Sequence, residues 1–419
     1  MMIQKKLNCG IRMAMEKIPY VQSAAVGIWV KAGSVDENDR INGISHYIEH
    51  MLFKGTDSRS AKQIAADVDR IGGNINAFTG KEATCYYIKT LDSNLEQACD
   101  ILIDMFLHSL FDEGEMEKEK MVILEEMKMT EDQPDDLAHD TLSELVFQNT
   151  PLQRQIIGTE ESLLGIHRQD ILDYMAREYA RDNIVISLAG NFDEDRMCSY
   201  FEGRLSDLAA VKPPRQKSSR LYVPEYRVKV KDVEQSHICL GIPGVTLDDD
   251  DLYYAMALLN NIMGGSMSSR LFQNIREEKG LAYSVYSGCT SYMDAGAFYI
   301  YAGVNSNKIQ DAIGGIACEL EVLRRDGITA DELATAKEQI KSNYIFGLEN
   351  VNGRMFSNGK NILLLDEVRE PERVLREIDA VTMDDMGRAA EMISDLGNYC
   401  ASLVTGREAD LKKMVNACL

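Results

Sequence analysis

The sequence predicts an α+β protein made of two similar halves. Apolar, strand-like runs alternate with amphipathic helical patterns along the chain. The strand and acidic turn at residues 23–39 have a counterpart at 235–251, at an offset of 211 positions that matches Gly33 with Gly244. A repeat of this length indicates a duplicated domain rather than a short repeating unit.

The predicted elements follow from local periodicity and from turn residues. Residues 61–71 have helical spacing and stop at Gly72 and Gly73, which end a helix and begin a turn. Residues 33–39 form a predicted polar turn. Strands are predicted at 23–33, 84–90 and 183–191, and further helices at 95–110, 117–129, 136–147 and 330–348.

A change of composition at residues 211–220 marks the predicted domain boundary. This short run is basic, carries Pro and Ser, and has no apolar periodicity, as is typical of an interdomain linker. The predicted organisation is a first domain at 1–210, a linker at 211–222 and a second domain at 223–419. At 419 residues the chain is long enough for two hydrophobic cores.

The charge balance and the cysteines limit the classes of function. The chain has 45 Lys and Arg against 67 Asp and Glu, a net charge of −22, which argues against nucleic acid or an anionic membrane as partner. This acidity either favours basic peptides or keeps the surface soluble. No run approaches about 18 consecutive apolar residues, so no membrane span is predicted. Without a secretory signal or a Cys-x-x-Cys pair among the nine cysteines, the predicted location is the cytoplasm.

The segment from Gly43 to Phe53 carries the predicted chemistry. As a helix, it places His46 and His50 four residues apart, where both imidazoles face the same side and can bind one metal ion. Glu49 lies on that side too and can reach a water molecule without being a ligand. The apolar neighbours predict a largely buried helix, in which unpartnered polar groups would be costly. The inverted His-x-x-Glu-His pattern therefore favours a hydrolytic zinc site over a solvated surface helix.

The third protein ligand that a catalytic zinc site needs is predicted in a second helix. In the helix at 117–129, Glu119 and Glu126 are seven residues apart and so share one face. Glu126 is the candidate ligand, and Glu119 is a candidate partner behind the ligands. Acidic residues also coat many surface helices, and spacing alone does not distinguish Glu126 from Glu125.

These motifs resemble the pitrilysin family of inverted-motif zinc peptidases, which includes insulysin and the mitochondrial processing peptidase. Glu126 follows His50 by 76 positions, and residues 43–56 are similar to the bacterial processing-peptidase-like branch. The resemblance covers roughly residues 10–405 and implies two domains, each an antiparallel sheet with helices packed on one face. It makes His46, His50 and Glu126 the ligands of one zinc ion per chain, Glu49 the catalytic base and Glu119 a supporting acidic residue.

The resemblance also implies a substrate-binding strand. In the family, an Asn-Ala-x-Thr segment near the zinc is an edge strand on which the substrate peptide pairs, and it corresponds here to Asn76, Ala77 and Phe78. An exposed strand edge offers main-chain hydrogen bonds that do not depend on side chains, which suits an enzyme that accepts varied peptides. From the sequence alone, Asn76 is an ordinary turn residue.

The second half of the repeat cannot rebuild the zinc motif. The same offset places Ala257, Asn260 and Asn261 at the positions of the two His and the Glu. The helix predicted at 330–348 echoes the Glu126 helix, but residues 342–348 carry no carboxylate. Metal binding is therefore predicted only in the first half.

Arg276 and Tyr283 form the signature of the second half. They straddle a predicted helix–strand junction, where Gly280 ends the helix and residues 281–286 begin a strand. In the resembling family, an Arg and a Tyr with this spacing bind the substrate main chain and help hold the tetrahedral intermediate. A guanidinium and a phenol are donors suited to a carbonyl oxygen that gains negative charge.

The function that the resemblance implies is that of a zinc metalloendopeptidase acting on peptides or on unfolded or targeting segments. In the family, two such chains or one double-length chain close as a clamshell around a chamber, with zinc in one half and the Arg–Tyr pair in the other. This chain carries both signatures at half the double length, so we predict a homodimer with two composite sites. A metal-free homologous subunit is the alternative partner.

Two other functions compete with this prediction. One is a non-catalytic subunit that holds peptides or has a structural role, as in family members that lack residues of the zinc motif. All four positions of the motif are intact here, which favours the enzyme. The other is a different zinc hydrolase on the same site, against which the match to Arg276 and Tyr283 argues.

Overall fold

The protein contains two mixed β-sheets covered by helices. The computed structural model describes residues 2–206, 208 and 222–419. The strands of this part are β1 (Met2–Lys6), β2 (Arg12–Lys17), β3 (Ser23–Val30), β4 (Asn74–Thr79), β5 (Thr84–Leu91), β6 (Ile184–Gly190), β7 (Tyr226–Val230), β8 (Gln235–Gly244), β9 (Ala282–Ser291), β10 (Gly296–Asn305) and β11 (Cys400–Thr405). The predicted α+β class is confirmed.

The α-helices surround these sheets. They are α1 (Ile44–Leu52), α2 (Ala61–Arg70), α3 (Leu95–His108), α4 (Glu113–Asp132), α5 (Pro134–Val146), α6 (Glu160–Leu164), α7 (Arg168–Glu178), α8 (Glu194–Leu205), α9 (Tyr253–Asn260), α10 (Ile309–Asp326), α11 (Ala330–Gly347), α12 (Val351–Leu365), α13 (Pro371–Ala380), α14 (Met383–Ile393) and α15 (Leu411–Asn416). Short 3₁₀ turns occur at Ser34–Asp36, Asp39–Ile41, Asp92–Asn94, Pro151–Gln153, Arg181–Asn183 and Leu396–Asn398, and π-helical segments at Asn261–Gly265 and Phe272–Glu278. In the part of the chain that the structure describes, no helix has the length and apolarity that crossing a bilayer requires.

The chain folds into two compact units, each assembled from separate segments. Among the described residues, the first comprises 2–127, 154–206, 208 and 345–371, and the second comprises 128–153, 222–344 and 372–419. Each unit has its own hydrophobic core. The units differ from the contiguous domains predicted at 1–210 and 223–419, because each half of the chain gives one helix to the other sheet. Apart from Tyr222, the predicted linker at 211–222 lies outside the described residues.

The first sheet has the strand order β1-β2-β6-β3-β5-β4, with β1 and β4 at its edges. Its pairs are antiparallel except β2 with β6, so the sheet implied to be antiparallel contains one parallel pair. The helical connection before β6 returns the chain to the end of the sheet at which β2 begins. Along β3, Val26, Ile28 and Val30 enter the main core, while Gly27 and Trp29 face the opposite side.

Helix α12 covers that opposite side of the first sheet. Gly27 permits its close approach, because a Cβ there would lie 2.5 Å from Met355 Sδ. Ser187 Oγ donates a hydrogen bond to the Met355 carbonyl oxygen at 2.7 Å, which joins the helix to the centre of the sheet. Helices therefore lie on both faces of this sheet, although the resemblance implied one.

The second sheet has the strand order β7-β11-β8-β10-β9, with β7 and β9 at its edges. Its pairs are antiparallel except β7 with β11. Helix α5, from the first half of the chain, packs on β8 and β11. Ser402 Oγ donates to the Ala138 carbonyl oxygen at 2.6 Å, and Leu142 packs closely on Gly241. The exchange is therefore reciprocal: α12 completes the first sheet and α5 the second.

Candidate metal centre

Helix α1 carries the predicted zinc motif, and a buried carboxylate holds its N-terminus. Gly43 precedes the helix with φ +92°, a conformation that favours glycine. Glu37 accepts hydrogen bonds from the backbone N–H groups of Gly43 at 2.7 Å and Ser45 at 2.9 Å. Burial raises the pKa of Glu37, although hydrogen bonds from Asn42 and these N–H groups oppose the shift. A residue of the predicted polar turn therefore fixes the start of the motif helix.

Glu37→Ala is expected to destabilise the metal-free protein by about 1–2 kcal/mol, because two N–H groups at the start of α1 lose their acceptor. Thermal unfolding followed by circular dichroism measures the change. Asp39→Ala is the matched control, since the Asp39 carboxylate in the same turn is 96% exposed and makes a surface ion pair with Arg154. Equal melting temperatures for the two variants would contradict the capping role of Glu37.

Three potential ligand atoms converge between α1 and α4. Glu126 Oε2 lies 3.9 Å from His46 Nε2 and 3.5 Å from His50 Nε2, and the two imidazole centroids are 4.6 Å apart. Within the residues that the structure describes, these three form the group of His, Cys, Asp and Glu side chains placed to hold a metal ion. Glu125 is not in that group, so of the two neighbouring carboxylates it is Glu126 that lies beside the imidazoles.

The donor set and its separations suit zinc. Ligands about 2.0–2.2 Å from a tetrahedral zinc ion lie about 3.3–3.6 Å from one another, close to the separations seen here. Two imidazoles and one carboxylate are typical of catalytic zinc sites that keep one position open. Burial and the neighbouring His50 lower the pKa of His46 to about 4, so its imidazole is neutral at pH 7, as a metal ligand must be.

The carboxylates of Glu119 and Glu49 lie beside the potential ligands, and one ring nitrogen of a potential ligand has no hydrogen-bond partner in the described structure. Glu119 Oε1 is 2.9 Å from His50 Nδ1, and the Glu119 side chain is 8% exposed. Glu49 Oε2 accepts a hydrogen bond from Thr79 Oγ1. Burial raises the pKa of Glu49, while the Thr79 hydrogen bond and His50 act against the shift, and a raised pKa suits a proton acceptor. His46 Nδ1 is buried and has no hydrogen-bond partner in the described structure.

The predicted substrate strand is an edge strand next to α1. β4 contains Asn76, Ala77 and Phe78 and pairs only with β5, so its outer edge has no strand partner among the described residues. Asn76 and Phe78 are exposed, whereas Ala77 is buried. Thr79 ends the strand, and its hydrogen bond to Glu49 joins this edge to the motif helix. Asn76 is thus a strand residue rather than a turn residue.

Arg276 and Tyr283 lie together in the second unit. The guanidinium carbon of Arg276 is 5.8 Å from the ring centroid of Tyr283 and 4.7 Å from that of Phe272. Arg276 belongs to the π-helical segment Phe272–Glu278, a helix form frequent at functional sites. Tyr283 is 75% exposed near the start of β9, so the pair is accessible to a ligand.

Three residues outside the predicted site contact α1 or the Glu119 carboxylate: Glu37, Lys54 and Thr79. Lys54 follows His50 by four residues, a spacing that places both on one side of a helix, and its Nζ pairs with Glu119. The two-residue alternation of β4 directs Thr79 toward α1. Glu37 had no signal beyond being a carboxylate shortly before a helix start.

Comparison with known proteins identifies the family. Residues 12–160 match the family model described as insulinase (peptidase family M16), and residues 165–340 match the peptidase M16 inactive domain. An uncharacterized zinc protease of Bacillus subtilis, YmxG, is 43% identical over 408 residues, which cover 96% of this chain and 98% of the relative. The chain belongs to the M16 peptidase family.

Two solved structures resemble nearly the whole chain in fold. A protease from Helicobacter pylori superposes with a TM-score of 0.89 at 21% identity, over 97% of this chain and 99% of that one. A peptidase M16 inactive domain from Pseudomonas fluorescens gives a TM-score of 0.89 at 18% identity, over 98% and 99% of the two chains. The predicted resemblance to the insulysin–pitrilysin family is therefore confirmed, and the fold is that of M16 proteins.

Proposed function

We propose that this M16 protein is a zinc-dependent endopeptidase that hydrolyses peptides or unfolded or targeting segments. The observation that carries the proposal is the convergence of His46, His50 and Glu126, with Glu49 held beside them by Thr79. The names of two relatives, uncharacterized zinc proteases of Bacillus subtilis and Streptomyces coelicolor, support it.

His46, His50 and Glu126 would hold one zinc ion per chain. When bound, zinc supplies a Lewis acid that polarises a carbonyl oxygen and lowers the pKa of water. Glu49 accepts a proton from the attacking water and later delivers it to the leaving amine. Thr79 holds one oxygen of the Glu49 carboxylate, which leaves the other free to carry the proton.

The free edge of β4 binds the substrate in an extended conformation. A peptide added there makes main-chain hydrogen bonds along Asn76, Ala77 and Phe78, whatever its side chains are. Arg276 and Tyr283 donate hydrogen bonds to the carbonyl oxygen that gains negative charge.

The active form that we propose is a cytoplasmic homodimer with two composite sites. The Arg276–Tyr283 pair of one subunit completes the zinc site of the other, so each site draws on both subunits. A metal-free homologous chain is the alternative partner. The mass of the purified active protein, measured alone and in the presence of candidate partners, distinguishes the two assemblies.

A second candidate function is that of a non-catalytic subunit that holds peptides. It is favoured by the match of residues 165–340 to the inactive M16 domain and by the fold likeness to the Pseudomonas fluorescens domain. The intact ligand group and Glu49 favour the enzyme.

Cleavage of a mixed peptide library with and without a chelator tests the proposal. We expect hydrolysis that stops when zinc is removed and returns when stoichiometric zinc is added. Glu126→Gln should lose both zinc and activity, whereas Glu125→Gln, one residue away on the same helix, should keep both. Zinc-loaded protein that binds peptides without cleaving any of them would favour the non-catalytic function.

A further inference from the structure

Lys54 lies behind the candidate metal centre, in contact with Glu119. It is two residues beyond the end of α1, and its backbone N–H donates to the Met51 carbonyl oxygen at 3.0 Å. Lys54 Nζ forms an ion pair with Glu119 Oε2, whereas Glu119 Oε1 lies 2.9 Å from His50 Nδ1. The two oxygens of one carboxylate thus contact a cation on one side and an imidazole on the other.

The Lys54 ammonium matters because the Glu119 carboxylate that it contacts is buried. The Glu119 side chain is 8% exposed, so it has little water to stabilise its charge. A buried carboxylate is costly unless it is both hydrogen-bonded and paired with a positive charge. The imidazole of His50 lies within hydrogen-bond distance of the carboxylate, and the ammonium of Lys54 supplies the positive charge.

Of the two potential His ligands, only His50 has a side-chain partner at Nδ1 among the described residues. Its Nδ1 faces Glu119, whereas the buried Nδ1 of His46 has no hydrogen-bond partner in the part of the chain that the structure describes. Partners of this kind fix the tautomer and ring orientation of a metal-binding His and increase its basicity. The orientation of the His50 imidazole therefore depends on the position of the Glu119 carboxylate.

We propose that Lys54 is a positioning residue of the metal centre, which holds the Glu119 carboxylate so that it orients His50. The inference rests on the proposed metal site, and Lys54 acts without touching a ligand. Positioning by Lys54 favours metal binding, whereas its positive charge disfavours it, because an ammonium repels a divalent cation. Removing Lys54 should thus weaken zinc binding if positioning dominates and strengthen it if only the charge counts.

Zinc affinity measured by competition with a chromogenic chelator tests this proposal. Lys54→Met should weaken binding by about three- to tenfold, less than the 10–100-fold typical of removing a direct partner of a metal-binding His. Lys54→Arg should stay within about twofold of the wild type, because it keeps a charged donor. Lys118→Met is the matched control: Lys118 is a 72% exposed lysine of α4 that pairs with Glu115, and its loss should leave zinc affinity unchanged.

A double-mutant cycle separates positioning from a general loss of structure. In a Glu119→Gln background, Lys54→Met should have no further effect beyond about twofold, because there is no carboxylate charge left to hold. Thermal unfolding of the metal-free variants tracks folding independently, and Lys54→Gln replaces Lys54→Met if that variant is unstable. Unchanged or tighter zinc binding by the Lys54 variant, or an effect that persists in the Glu119→Gln background, would overturn the inference. Failure of the wild-type protein to bind zinc would instead overturn the proposed function, and this inference with it.

Discussion

Glu49→Gln is expected to lower peptide hydrolysis by about 10²–10⁴-fold while leaving one zinc ion bound per chain. The amide has the shape of the carboxylate, and its oxygen can still accept the hydrogen bond from Thr79. It cannot accept a proton from water, so the base of the reaction is lost while the potential ligands remain. Single-turnover rates and zinc content measured on the same preparation show whether the two properties separate.

The control for this variant is Glu115→Gln, which removes an equal charge from a surface ion pair of α4. We expect it to retain both zinc and activity. Normal hydrolysis by the Glu49 variant would remove this residue from the reaction. Loss of zinc from that variant would show that Glu49 acts as a ligand or supports the ligands, and its role as proton acceptor would then need another residue.

A heterodimer of Glu49→Gln and Arg276→Ala subunits should regain about half of the wild-type activity, although each homodimer is nearly inactive. In a composite arrangement, one site of the heterodimer combines both substitutions and the other combines none. If Glu49 and Arg276 of the same chain formed each site, every site would carry a defect. Two different affinity tags used in sequence yield the heterodimer for the assay.

The matched control pairs Glu49→Gln subunits with Glu126→Gln subunits. Both substitutions affect the zinc-bearing part of the site, so each site of that heterodimer is defective and no activity should return. Recovery in both heterodimers would indicate a contaminating peptidase in the preparations, because exchange of subunits can only regenerate the inactive homodimers. Recovery in neither would contradict the composite site and favour the metal-free partner or a site within one chain.

The zinc motif was predictable because its geometry is local. His46, Glu49 and His50 lie within one helical turn, so a spacing of three and four residues suffices to place them on one side. Glu126 is different: its separation from Glu119 predicts a shared helix face, but only the packing of α4 on α1 brings it to the imidazoles. The family resemblance, rather than the spacing, distinguished it from Glu125 before the structure did.

The residues that escaped prediction make contacts across long stretches of chain. Lys54 contacts Glu119 of α4, and Thr79 contacts Glu49 from β4, so local spacing indicates the side on which each lies but not the distant residue that it contacts. The exchange of α5 and α12 between the two sheets could not be predicted from the sequence for a related reason. The apolar face of a helix shows that it packs on a sheet, but does not show which of two similar sheets it covers.

This exchange has a consequence for the synthesis of the chain. The last residue of α12 is Leu365, so the first sheet lacks the cover over Gly27 and Trp29 until nearly the whole polypeptide has left the ribosome. Domains usually fold in the order of their synthesis. Here the first sheet cannot be completed until α12 has been synthesised. A nascent chain interrupted near residue 300 would therefore expose the apolar face that α12 covers to chaperones and proteases.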